Sequence, residues 1–220
     1  MQGSFSLGVL LGVVLVISIV SLFLKDGYSK KMFSALVGTV LGVVITMILY
    51  YAIAHFSKFT GFLYYYPDNL VDNYTQLDYK LLFFTAIVLG MLGMLLHVTS
   101  SIANHVAFVQ KHFTSMVPSE LLARGLLFGR EMLGSVFHLI VFVYLGVFAP
   151  IVIAFSSSQN YLDFVNSPDI HHEIIRVLIS SLGLFASIPL TVFLSTLLES
   201  KNKQIAFKGG SPQEQFKFNK

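Results

Sequence analysis

From Phe5 to Leu24 the chain reads FSLGVLLGVVLVISIVSLFL, a run without a single charge. A helix of that length rises about 30 Å, the thickness of the hydrocarbon core of a bilayer. Lipid offers no partner to an open peptide group, so a continuous apolar run of this kind crosses a membrane as an α-helix. Four more such runs follow, over roughly 32–56, 81–102, 132–154 and 174–198. Hydrophobic residues make up 55% of the 220 and charged ones 11%, and mean hydropathy is +0.76, a balance no soluble domain of this size carries. The expected fold is therefore all-α: an integral membrane domain over 1–198 with about five transmembrane helices, followed by a hydrophilic tail over 199–220. Gly209-Gly210-Ser211-Pro212 breaks that tail, which is expected to be mobile. The first lysine, Lys25, follows the first apolar run rather than preceding it, so this run is read as a retained span and not a cleaved leader.

The charges that are present fall unevenly. With five spans, Lys25, Lys30, Lys31, Lys111, Arg124, Arg130, Lys201, Lys203, Lys208, Lys217 and Lys220 lie on one side, against Lys58, Lys80 and Arg176 on the other. Positive residues collect on the cytoplasmic face, which puts the N-terminus outside and the C-terminus in the cytoplasm of a cell-membrane protein. The same placement accounts for a pI near 9.0 without a nucleic-acid partner. No loop is long enough for a soluble catalytic domain, and G-x-S-x-G, H-E-x-x-H and phosphate-loop patterns are absent, so no enzymatic activity is expected. With no cysteine, and with His105/His112 and His171-His172-Glu173 lacking further ligands, neither a metal nor a cofactor is expected.

Between spans three and four the sequence concentrates its polar residues. Asn104 to Phe128 reads as an amphipathic excursion along the inner surface, with Ser119 as a helix cap after Pro118. His97 and His138 lie about five or six residues inside the neighbouring spans, at similar depth. Histidine titrates near physiological pH, so the pair is a candidate proton relay, with Thr99, Ser100 and Ser135 as polar neighbours. The alternative is a neutral histidine bonded to a neighbouring helix's carbonyl or to one of those hydroxyls, acting as packing glue. Arg130 and Glu131 are expected to anchor span four at the inner interface, with Arg130 able to pair with Glu120. Gly8/Gly12 and Gly38/Gly42 have the spacing that lets helices approach closely, and Gly129 and Gly134 join them as packing candidates. Pro150 and Pro189 lie inside apolar runs, where kinks are expected. The aromatic and acidic stretch from Ser57 to Lys80 suits an outer headgroup region.

The segments His97-Val98-Thr99-Ser100-Ser101-Ile102-Ala103, Ser119-Glu120-Leu121-Leu122 and Gly129-Arg130-Glu131-Met132-Leu133-Gly134-Ser135 resemble the pattern of the YibE/F-like family of multi-pass membrane proteins. The likeness is to its short, YibF-type members. That pattern has a polar D-V-x-x-S-I-A, then S-x-x-E-L, then G-R-D-x-x-G-T-x-T-N-T. Here His97 stands where the family has aspartate, and Ser135-Val136-Phe137-His138-Leu139 stands for T-x-T-N-T, so a carboxylate-driven mechanism does not carry over intact. The resemblance implies one half of an oligomeric membrane complex, a transport or export permease paired with a YibE-type partner or a second copy. The competing implication is a non-transporting scaffold that stabilises that partner. The order of spans is also topologically similar to one half of the resistance-nodulation-division and SecD/SecF superfamily.

Overall fold

A computed structural model of the chain describes residues 5–56, 79–113, 116–156 and 166–209, with side chains chiefly over 9–56, 80–113, 116–150 and 170–200. Those residues form five long helices: α1 (Phe5–Asp26), α2 (Lys30–Phe56), α3 (Tyr79–His112), α4 (Pro118–Phe155) and α5 (Pro168–Gly209). Each is long and apolar enough to cross a membrane, and the described residues contain no strand. The all-helical, five-span expectation holds. The aromatic stretch before Lys80 and the tail beyond Gly209 lie outside the described residues.

The surface helix expected over 104–128 is not a separate element. α3 runs unbroken to His112 and α4 begins at Pro118, so the excursion is divided between two long helices and a short connection. The chain breaks where a physical stop exists. Pro118 disfavours helical geometry in the residue before it, and Val117 is extended at φ −77°, ψ 151°. Val117 is the cap, without a side-chain bond, and Ser119 already lies inside the helix. Val106, Val109 and Leu121 are buried, so both extensions keep an apolar stripe against the bundle rather than turning it towards a membrane plane. At 1.5 Å per residue α3, of 34 residues, reaches about 51 Å and α4, of 38, about 57 Å, beyond the hydrocarbon core at one or both ends. Pro150 and Pro189 both sit within continuous helix.

The centre of the bundle is the packing of α2, α3 and α5 on one another; α4 packs mainly on α5, and α1 lies along α2 and α3. The α2/α5 interface explains why these two come closest. Ser34 bonds Ser195; a Cβ at Gly38 would strike Thr191, one at Gly42 would meet the Ser187 Cβ at 3.0 Å, and one at Gly183 would strike Thr46. Each level lies four residues further along α2 and four residues back along α5, so the helices run antiparallel with a small residue opposite a small or hydroxyl residue at every turn. Small residues give dispersion contact between backbones in lipid, where apolar burial alone does not draw helices together. The hydroxyls are satisfied locally: Thr46 donates to the Gly42 carbonyl at 2.8 Å and Thr191 to Ser187 at 2.7 Å. Thr39 meets Thr99 of α3 at 2.9 Å.

A second close approach joins α4 to α5. A Cβ at Gly125 would lie 2.6 Å from the Val192 side chain and one at Gly129 2.5 Å from that of Ile188. Of the glycines expected to pack helices, Gly38, Gly42 and Gly129 do so. Gly12 and Gly134 face open space, because each lies off its helix's buried stripe; the surroundings of Gly8 lie outside the described side chains.

α1 is held by a narrower seam: Leu10, Val14, Ser18 and Leu22 are buried at four-residue intervals. One turn further, Asp26 accepts from Ser100 Oγ at 2.9 Å and Asn104 Nδ2 at 2.7 Å. Gly27, at φ +62°, closes the helix by donating its N–H to the Phe23 carbonyl at 3.0 Å, a left-handed conformation that favours glycine. Because two bonds to a charged acceptor end the seam, Asp26→Ala is expected to cost about 2 kcal/mol and to loosen α1 before the rest unfolds. A single cysteine at the buried Ser18 checks this: it should resist a membrane-permeant maleimide in the parent chain and react in the Asp26→Ala variant.

Candidate functional site

A group of ionisable side chains gathers at the end of the bundle opposite the 26–30 turn. α5 starts at Pro168 and carries His172, Glu173 and Arg176 in its first turns, inside a segment long and apolar enough to span. Glu173 Oε1 accepts from Arg176 Nη1 at 2.8 Å, with the arginine side chain 18% exposed and the glutamate 6%. Three-residue spacing puts the two on one helix face.

The neighbouring helices shape the surroundings. The Arg176 guanidinium lies 5.0 Å from the Phe83 ring centroid of α3, and Phe83 meets the buried His172 edge to face at 5.7 Å. One turn deeper, Ser180 donates to the Arg176 carbonyl at 2.7 Å and bonds the hydroxyl of Tyr144 from α4. Tyr50 of α2 donates its hydroxyl to the Lys80 carbonyl at 2.6 Å and packs against Phe83 and Phe84. The ion pair thus lies on α5 against Phe83 of α3, with an imidazole beside it and the Tyr144–Ser180 bond one turn below. Such a group can hold or pass a proton, or compensate a small ion, because the carboxylate is buried.

The two histidines expected to form a relay are placed otherwise. His97 and His138 are both exposed on the surface of the bundle, and no hydrogen bond or ring contact joins them. His138 donates from Nδ1 to the Gly134 carbonyl of its own helix at 2.8 Å, a bond that ties it to no neighbouring helix. The cause is helical phase. Leu95 and Thr99 are buried on α3, Val136 and Ile140 on α4, and a residue midway between such a pair points about 200° away. Ser135 is exposed with them. Thr99 and Ser100 are buried, but they serve the α2/α3 contact and Asp26. Arg130 and Glu131 are exposed, and neither takes part in an ion pair among the described residues. His105 stacks on Phe128 at 3.9 Å, tying α3 to α4, and His112 bonds the Phe108 carbonyl at 2.9 Å. No group of three His, Asp or Glu able to hold a metal occurs among the described residues.

The sequence profile described as YibE/F-like protein matches residues 1–201. The chain belongs to the YibE/F-like family. No curated protein and no solved structure matches it, and the topological likeness to the resistance-nodulation-division superfamily finds no support there. In this YibE/F-like chain the position of the pattern's aspartate is the outward-facing His97, and the carboxylate that reaches the Ser100 turn is Asp26 of α1. Sequence reasoning treated His171-His172-Glu173 only as a poor metal set. The available signal was Glu173 and Arg176 three apart at the start of a spanning run, where a charged pair is rare and needs a reason.

Proposed function

We propose that this chain is the membrane-embedded half of a transport or export complex, paired with a longer YibE-type subunit or a second copy, and that Glu173 and Arg176 are its ion-coupling group. The observation that supports this is the buried Glu173 paired with the half-buried Arg176 inside a helix long and apolar enough to span: ionisable groups in such segments are costly and mark ion or substrate pathways. The test uses the complex purified through this chain, reconstituted in vesicles, with fluxes of protons, sodium and potassium followed by ion-sensitive dyes. Wild type and the His97→Gln/His138→Gln variant carry a gradient-driven flux, whereas Glu173→Gln/Arg176→Met assembles normally and carries less than a tenth of it. A double variant that conducts like wild type, or a wild type that moves none of these ions, overturns the proposal.

The scaffold reading is favoured by a different observation, the continuous α2/α5 small-residue contact, which suits a rigid brace. On that reading the double variant is silent and only the glycines matter. The orientation we propose puts the 26–30 and 112–118 turns in the cytoplasm, following the lysine and arginine distribution. In this cysteine-free chain, a cysteine at Tyr28 is then expected to label only from the cytoplasmic side and one at Gln159 only from outside.

A further inference from the structure

At the 26–30 end, where α2 and α5 part beyond the Ser34–Ser195 contact, a cavity of about 150 Å³ opens between Phe33, Ser34, Val37, Leu194, Leu197 and Leu198. Its wall is almost wholly carbon, since the Ser34 hydroxyl is engaged by Ser195. An apolar cavity of that size takes a guest as large as benzene, which is the ring of a phenylalanine side chain. Phe33 and Leu197 are exposed at its rim, so the slot is entered from outside the bundle.

The rim carries both signs of charge. The Ser34/Ser195 register, continued one turn back along α2 and one turn on along α5, sets Lys30 opposite Glu199. Neither takes part in an ion pair among the described residues. An apolar slot with a balanced rim suits an occupant that carries an aromatic ring with a charged neighbour, and the chain itself contains one. α5 ends at Gly209, and the segment GSPQEQFKFNK over 210–220 lies beyond the described residues. Among its polar residues stand two large apolar side chains, Phe216 and Phe218, with Lys217 between them. Gly209-Gly210-Ser211-Pro212 has the residues of a chain reversal. From Leu197 to Gly209 the helix rises about 18 Å, and the strand from Pro212 to Phe218, drawn out, covers about 20 Å. A chain reversed at 209–212 therefore brings Phe218 level with the groove and Lys217 level with Glu199.

We infer that segment 213–220 folds back along α5 and seats the Phe218 ring in this groove, with Lys217 beside Glu199. Burial of the ring supplies the affinity, the groove sets the register, and attachment to α5 keeps the segment at high local concentration.

The chain has no cysteine, so a pair can be introduced as a reporter. Leu197→Cys places one at the exposed rim and Asn219→Cys places the other beside Phe218. In the full chain, reconstituted in phosphatidylcholine vesicles and oxidised with copper phenanthroline, a disulfide forms within one chain, as read by mass spectrometry. Adding Phe216→Ser/Phe218→Ser slows its formation by about tenfold, the factor that burial of a phenyl ring supplies. Equal rates with and without the rings overturn the inference, since the segment would then meet the rim by chance alone. A disulfide formed only between two chains overturns it in favour of a second copy's segment in the groove. Absence of any disulfide also overturns it, and leaves the slot to lipid or to a partner helix.

Discussion

Gly183→Leu is expected to prevent the bundle from forming a stable core. The side chain would enter the space occupied by Thr46, with the Gly42 carbonyl 3.5 Å from its Cβ, and neither helix can move without opening the three levels stacked beside it. Overpacking a close interface costs about 3 kcal/mol or more when the neighbour cannot turn aside, and Thr46 is β-branched and bonded to the Gly42 carbonyl. Leucine at Gly12 or Gly134, where nothing lies within 4 Å, is expected to change the melting temperature by no more than a degree or two. Fluorescence-detected size exclusion after graded heating distinguishes the two outcomes. A partner change gives a finer check: Gly183→Ala should be destabilising alone and largely rescued by Thr46→Gly, because the two exchange which helix carries the side chain. Absence of rescue would mean that the contact is not the source of the loss.

Arg176→Met alone should destabilise by about 3 kcal/mol, since it breaks the ion pair of a buried carboxylate from one side. Glu173→Gln alone should cost less, because glutamine still accepts a bond and the partly exposed guanidinium can reach solvent. Combining them should recover most of the loss, as two neutral groups no longer require compensation. The measurement is the difference between the double variant and the sum of the singles, taken from thermal denaturation in one detergent. A double variant as unstable as Arg176→Met would show that the guanidinium acts through Phe83 packing rather than through the ion pair.

Much of this architecture is legible in the sequence because its physics is local. An apolar run of twenty residues has one way to cross lipid, and the five runs become five helices. Gly38 and Gly42 were readable for the same reason, as a four-residue spacing has one meaning in a membrane helix. Their partners were harder to see. Gly183, Ser187, Thr191 and Ser195 keep the same spacing, but three of them carry hydroxyls, and only the register of α5 against α2 reveals them as one surface. The histidines failed for a related reason: depth follows from counting residues, whereas which way a ring faces depends on the stripe its helix buries. The 104–128 segment looked amphipathic because polar residues alternate with apolar ones there, yet nothing in it stops a helix except Pro118.

The Ser34–Ser195 contact joins residues 161 positions apart. A ribosome adding about 5–20 residues each second needs on the order of 10–30 s to make the intervening chain. Through that interval α2 sits in the membrane with its small-residue face uncovered, since the helix that fits it has not been made. Maturation therefore has a defined waiting state, in which an insertion factor or the matching helix of another nascent copy can reach α2 first. Slowing synthesis between Phe56 and Pro168 lengthens that state without altering one residue of the finished protein.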